Sequence, residues 1–528
     1  MRAEEGSRGT GGILSGVITV YLSLVTLLMI SVIMASLESA RTAVIKTGIA
    51  AYSDMAAEML FSAYTRPLAD RYGIFVFDQG TDEKNLSWFE DFVQMNLDQE
   101  RPFGLHADNV KAQTLHKADL SDSGWQLLLE QIKRAQLYAL GEKGLKKAAG
   151  RYKGENMDRA GELSEEIAGQ ITDRGALAAD EAKAQESGAL PAEQGEGVRK
   201  KDESGKTPAD QAPVNQGKED PRPGIGRWVR SGLLNIVMGD KSISSRRADM
   251  SDCTYQAAEG GDFNISDNFE NYKDVADSLK GKGLSEVFGQ DVSANSKNML
   301  LNIYVLDRFG SLRKNASPKS ALSYEAEYIL FGHPSDRENL ESTMTSLYAL
   351  RTALNLAYLY QNKGMASEAV KAFSSVISGV LPAAASLVRI LILACWAGAE
   401  AAVDCAALAE GKKVPLMKSA DSWNLSLDQL SRIASKGGRA ASYVKSGDKG
   451  LDYSQYLSLL LMPLPRKKKI KRMLQLMEKN IRLEPDMADF RFSRCIAGAK
   501  FEVSARIRPQ FWRWKGSIDC SCRAAYIY

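Results

Sequence analysis

The chain has 528 residues, of which 44% are hydrophobic and 25% charged, with a formal net charge of +3 and six cysteines. That length accommodates several domains, and the composition is that of a globular chain. The small net charge gives no global attraction to nucleic acid, and the cysteines are too sparse for a disulfide scaffold, although their even number permits bridges.

Residues 1–16 read as a short N-terminal tail. No charged residue occurs from Gly9 to Leu37, and residues 17–37 supply roughly the 20 apolar positions that a helix needs to cross a bilayer. The run is too long for the core of a cleaved signal, and Glu38 and Arg41 follow it directly. Lys and Arg are balanced across the two flanks. An N-inside orientation is expected because a short tail is more easily retained than a large domain. Leu37, Ala40, Val44, Tyr52, Met55, Met59 and Ala63 keep a helical spacing, which predicts helix continuing to Arg66, where Pro67 disfavours it, as either a pilin-like stalk or an anchor followed by an ordinary amphipathic helix.

Residues 38–140 then form the stalk and a small α/β region. Gly73–Phe77 reads as a short buried strand, while Trp88, Phe89, Phe92, Val93 and Leu97, and then Trp125–Leu140, follow helical patterns. Residues 141–224 read as a flexible linker, since Ala176–Pro223 is nearly free of aromatics and cannot bury enough surface. Residues 225–528 read as a mainly helical domain with C-terminal strands. Structure resumes at Trp228 and Leu233–Met238. Leu340, Met344, Leu347, Leu354 and Tyr358 form one apolar stripe. Ser426 with Gln429 predicts a capping box, and Pro463 and Pro465 end a helix that begins near Asp452. Val376–Ala399 is the one rival for a second span, but Pro382 and the central Arg389 favour a buried core helix. Arg491–Ile496 and Phe501–Arg508 alternate as strands do. The expected class is α+β, predominantly helical, with one N-terminal transmembrane helix extended into a pilin-like stalk and short strands after it and near the C-terminus.

Several motifs carry a resemblance. They are Gly16–Leu24 with Leu37–Arg41; Arg66-Pro67-Leu68 with Tyr72–Phe75; Tyr324–Leu330 with Ser335, Asp336, Asn339 and Leu340; and Trp396-Ala397 with Glu400, Asp404 and Lys412–Leu416. They resemble an uncharacterised family of single-span bacterial membrane proteins that accompany tight-adherence (Flp-type) pilus systems. The opening is also similar in plan to the TadE and TadG pseudopilins. The resemblance covers most of the chain outside residues 150–225 and implies a setting more than a mechanism. One departure is Tyr21, which stands where processed pilins carry a Glu if Gly16 is the cleavage glycine.

No motif points to catalysis, a cofactor or a metal, and no catalytic, cofactor-binding or metal-binding residue is assigned. His106, His116 and His333 lack ligand spacing, Cys520-Ser521-Cys522 is an incomplete metal set, and Gly205-Lys206-Thr207 lacks the earlier glycine of a phosphate loop. The basic run Arg466–Arg472 reads as the solvated face of a helix carrying Ile470, Met473, Leu474 and Met477. Trp512 and Trp514 read as packing on the domain. Tyr324–Leu330 reads as a structural hub in which Glu325→Gln or Glu327→Gln leaves folding nearly intact.

The expected function is a non-catalytic structural or assembly component of a cell-surface pilus or secretion apparatus. Its expected partners are membrane lipid and other pilus or secretion-apparatus proteins, with no nucleic acid, small-molecule substrate or cofactor. The expected location is the cell membrane, single-pass, with the bulk of the chain extracytoplasmic. The alternative is a membrane-tethered extracytoplasmic enzyme or binding module acting at the cell wall.

Overall fold

The structure is a computed structural model that describes residues 10–80, 82–99, 104–152, 218–256, 294–380, 382–445, 449–511 and 516–528. The chain divides into two units, residues 1–135 with 489–528, and residues 136–488. It is α+β and mostly helical, with a long apolar N-terminal helix and a few strands, some of them near the C-terminus.

In the first unit, helix α1 (Thr10–Ser62) runs unbroken, since no proline interrupts it before Pro67. It is about 80 Å long at 1.5 Å per residue. Its second half packs on an antiparallel sheet formed by β2 (Asp108–Ala118), β4 (Gly498–Ile507) and β5 (Ile518–Ile527) in the order β2-β4-β5. The expected alternation is present, with Phe501, Val503, Ala505 and Ile507 of β4 buried. They meet Ile45, Ile49, Ala56 and Phe61 of α1 and Phe89, Val93 and Leu97 of α3 (Asp82–Gln99). The C-terminal strands, expected to close the helical domain, instead pair with β2 from the N-terminal region, for example Ala112 with Val503. Strand pairing needs a matching edge and register, not proximity in sequence.

Three local expectations change. Gly73–Phe77 is not a strand, and only Phe77–Asp78 (β1) pairs, with Cys495–Ile496 (β3). The backbone of Phe75 is satisfied by a side chain instead: its N–H donates to Gln131 Oε1 at 2.8 Å and its carbonyl accepts from Gln131 Nε2 at 3.0 Å. Ile74 and Val76 are still fully buried. Pro67 opens helix α2 (Arg66–Tyr72) in its first turn, where a missing N–H costs nothing. The expected linker is helical at both ends: helix α4 (Asp122–Tyr152) enters it, and helix α5 (Pro221–Arg230) begins before it closes. Residues 153–217, with the Gly205–Thr207 motif, and Trp512 and Trp514 lie outside the described residues.

In the second unit, helix α9 (Asp336–Gln361) packs along helix α12 (Pro382–Glu410). Between α5 and α9 come α6 (Leu233–Met238), α7 (Ala294–Arg308) and the short α8 (Glu325–Phe331). The rival span Val376–Ala399 runs into α12, and the apolar stretch Val388–Glu410 of that helix is mostly buried, with Ile392, Trp396, Ala399 and Val403 in the core and Arg389 at the surface. Helices α13 (Leu427–Lys436) and α14 (Tyr453–Leu461) both start with capping boxes, Ser426 with Gln429 and Asp452 with Gln455. Ser335 occupies the N-cap position of α9 without a side-chain cap bond. Asp336 is not a cap either, because its carboxylate turns back to the N–H groups of Ser323 and Tyr324.

Candidate functional site

Two features stand out: the surface of α1 and the buried polar frame of the helical unit. Along α1, every residue from Val17 to Ser36 is exposed, and the large apolar side chains there are 37–69% exposed. Four hydroxyls in this stretch are satisfied within the helix: Ser23 donates to Val20 O, Thr26 to Leu22 O, Ser31 to Leu28 O and Ser36 to Val32 O. Such back-bonding removes the main cost of placing Ser and Thr in hydrocarbon.

Beyond Leu37 the helix has two apolar faces. Ile45, Ile49, Ala56, Ala57 and Phe61 face the sheet. The stripe read from the sequence is the other face: Leu37, Val44, Met55 and Met59 are 48–52% exposed. These four lie within roughly 60° of one line down the helix at 3.6 residues per turn. Tyr52 alone of the large residues in that stripe is half-buried. The spacing is helical for both faces, so periodicity could not choose between them.

Glu38 and Arg41 do more than flank the span. Arg41 Nη1 donates to Glu38 Oε1 at 2.8 Å and to Arg508 O at 3.1 Å, while Arg41 Nε donates to Gly104 O at 2.6 Å. Glu38 Oε2 accepts from the N–H groups of Gln510 and Phe511 at 3.1 and 3.0 Å. The pair thus ties α1 to both loops at that end of the sheet.

In the helical unit, Glu400 and Asp404 are one turn apart on α12 and share Lys418, whose Nζ donates to Glu400 Oε1 at 2.6 Å and to Asp404 Oδ1 at 2.7 Å. Arg351 closes the set: Nε and Nη2 reach Asp404 Oδ2 at 3.1 and 2.9 Å, and Nη1 reaches Leu416 O at 2.8 Å and Tyr456 Oη at 3.1 Å. Glu400 also accepts from Asn424 N and Leu425 N. Burial would raise Asp404, but the Arg351 and Lys418 charges outweigh it and hold its carboxyl below the usual range. Burial pushes Glu400 up against the opposing pull of Lys418. Two cations and two anions, all nearly solvent-free and fully hydrogen-bonded, form a cross-brace with no open coordination for a substrate.

The Tyr324–Leu330 motif forms a second brace. On α8, Glu325 and Glu327 point to different partners. Glu325 accepts from Gly310 N at 2.7 Å and Asn480 Nδ2 at 2.6 Å. Glu327 Oε1 accepts from Leu312 N at 2.9 Å and Tyr453 Oη at 2.8 Å, whereas its Oε2 is buried with no hydrogen bond. Burial pushes Glu327 up to about 7. The basic run on helix α15 (Arg466–Arg482) is not simply a solvated face. Ile470, Met473, Leu474 and Met477 are in the core as expected, but Lys469 and Arg472 are buried beside them. Lys469 Nζ donates to Asn302 Oδ1 at 2.6 Å, to Leu461 O at 2.9 Å and to Asn298. Arg472 Nη1 donates to Leu330 O at 2.6 Å and Ile329 O at 3.1 Å.

The remaining sequence candidates are scattered. His116 lies on β2, and His333 Nε2 bonds Ser342 Oγ at 3.1 Å. All six cysteines are free thiols; Cys520 and Cys522 line the sheet face toward α1, where Cys522 meets Ser53. Among the described residues no group of three or more His, Cys, Asp or Glu is placed to hold a metal ion. Sequence reasoning missed Arg351, Lys418, Lys469 and Arg472. The available signal was a charge inside an apolar stripe, as Arg351 sits between Leu347 and Leu354.

A family model described as a family of unknown function, DUF5702, matches residues 213–507, more than half of the chain. No curated protein and no solved structure matches.

Proposed function

The chain belongs to DUF5702, a family of unknown function, and within it we propose that this protein is a membrane-anchored, non-catalytic structural or assembly component of a cell-surface pilus or secretion apparatus. The observation that carries the reading is α1. Its first half exposes an uncharged apolar surface long enough to span a bilayer. Its second half keeps an apolar stripe, Leu37, Val44, Met55 and Met59, uncovered while the opposite face is anchored in the sheet. Apolar side chains aligned along one face of a helix are covered when another helix packs on that face. Such a helix, fixed on one side and open on the other, suits docking against helices of neighbouring subunits. The hydrogen-bonded brace of Arg351, Glu400, Asp404 and Lys418 supports a structural frame over a reaction centre. In this reading the bulk of the chain is extracytoplasmic, and the tight-adherence setting follows from the sequence resemblance.

The experiment is photo-crosslinking in intact cells from a probe placed at Val44 or Met55, with one at Thr47 as the control on a different face. The reading predicts discrete crosslinked products with other envelope proteins from Val44 and Met55 and none from Thr47. Absence of products from all three sites would refute it.

A further inference from the structure

In the helical unit, the loop that follows α6, the segment 311–324 and the C-terminal end of α12 enclose an open cleft of about 550 Å³. That lies in the range of roughly 300–1,000 Å³ typical of small-molecule sites. Lys241, Arg246 and Arg313 line it, together with several serine hydroxyls, and no Asp or Glu does. Lys241 Nζ and Arg313 Nη1 both reach the same carbonyl, that of Ala409, at 3.4 Å. The two charges are therefore drawn to one point by the negative end of α12. Gly411 leaves the room that the Arg313 guanidinium fills, since a Cβ there would collide with it. Arg246 is held from behind, donating to Ser320 O at 3.0 Å. Among the described residues none of the three cations has a carboxylate within ion-pair reach. The nearby Asp336 is committed to Ser244 Oγ at 2.6 Å and to the N–H groups of Ser323 and Tyr324. Three cations gathered on a concave wall repel one another unless an anion joins them, and guanidinium with ammonium groups best matches a multiply charged oxyanion.

We propose that this cleft binds a small molecule through a phosphate or pyrophosphate group. The free ligand and the headgroup of an anionic lipid offer the same chemistry. The test uses the full chain in detergent. Inorganic pyrophosphate is titrated by calorimetry, and dihexanoyl phosphatidylglycerol is then used as competitor. Saturable pyrophosphate binding that weakens at least tenfold in Lys241→Ala/Arg313→Ala, and is unchanged in Lys500→Ala/Arg506→Ala, is the expected result. Lys241 and Arg313 are both exposed, so each single variant is also read if the double variant misfolds. Displacement by the lipid assigns a headgroup, and its failure assigns a free phosphate ligand. No saturable binding of either probe at millimolar concentration, or binding that survives Lys241→Ala/Arg313→Ala unchanged, overturns the proposal.

Discussion

The Arg472 guanidinium occupies the space that a side chain on Gly332 would need: a Cβ there would lie 2.6 Å from Arg472 Nε. Gly332 ends α8 in the left-handed conformation, with φ of 79°. Arg472 fills the gap and donates to the last carbonyls of that helix. Gly332→Ala meets both penalties, backbone strain and collision. It is expected to destabilise the helical unit by about 3 kcal/mol, read as a drop in the melting midpoint of the full chain in detergent.

Tyr328 is 2% exposed and donates its hydroxyl to Gln475 Oε1 at 3.0 Å. Tyr328→Ala should cost about 3–5 kcal/mol, as large aromatic truncations do. Tyr328→Phe keeps the ring and should cost only about 1–2 kcal/mol for the unpaired amide. Chemical denaturation of both variants separates the packing from the hydrogen bond.

The two glutamates of α8 should respond oppositely, which revises the expectation that both tolerate Gln. Both oxygens of Glu325 accept from donors, so an amide must set N–H against N–H; Glu325→Gln should cost about 3 kcal/mol. Glu327 has one oxygen without a partner, so Glu327→Gln can place its NH2 there. Burial holds Glu327 at about 7 against the ordinary 4.5. A carboxyl raised on folding contributes fully below its unfolded pKa and loses that contribution as pH rises through the folded value. From pH 4 to pH 8, wild type should therefore lose about 3 kcal/mol relative to Glu327→Gln. Parallel stability–pH curves for the two proteins would contradict this assignment.

What the sequence disclosed was local. The uncharged span, the Ser426–Gln429 cap, the start of a helix near Asp452 and the stripe from Leu340 to Leu354 depend on neighbours within a turn or two. What it concealed was long-range. Lys469 and Arg472 sit in a run that reads as solvated, and only their meeting with Asn302 and with the α8 carbonyls explains their burial. The pairing of β2 with β4 joins residues nearly 400 positions apart, such as Lys111 with Ser504. The α1 stripe was legible as helix but not as exposed, because its opposite face is apolar too. The cleft cations are far apart in sequence, so no motif announced them.

The Glu38–Arg41 pair gives a further expectation. Arg41→Met leaves Glu38, Gly104 O and Arg508 O without their cation and should cost about 3 kcal/mol. Hydrogen exchange should rise at Gln510 and Phe511, whose N–H groups depend on Glu38. Unchanged protection there would mean that the pair does not hold α1 to the sheet.

The anchoring role of residues 17–37 is tested most directly by deleting residues 1–37, which leaves the Glu38–Arg41 clamp in place, and following the protein through alkaline-washed membrane flotation. The account predicts that the intact chain floats with lipid and that the truncated chain stays in the soluble fraction with its helical content outside α1 preserved. A folded truncated chain that still floats would contradict it and would move the anchor to another surface.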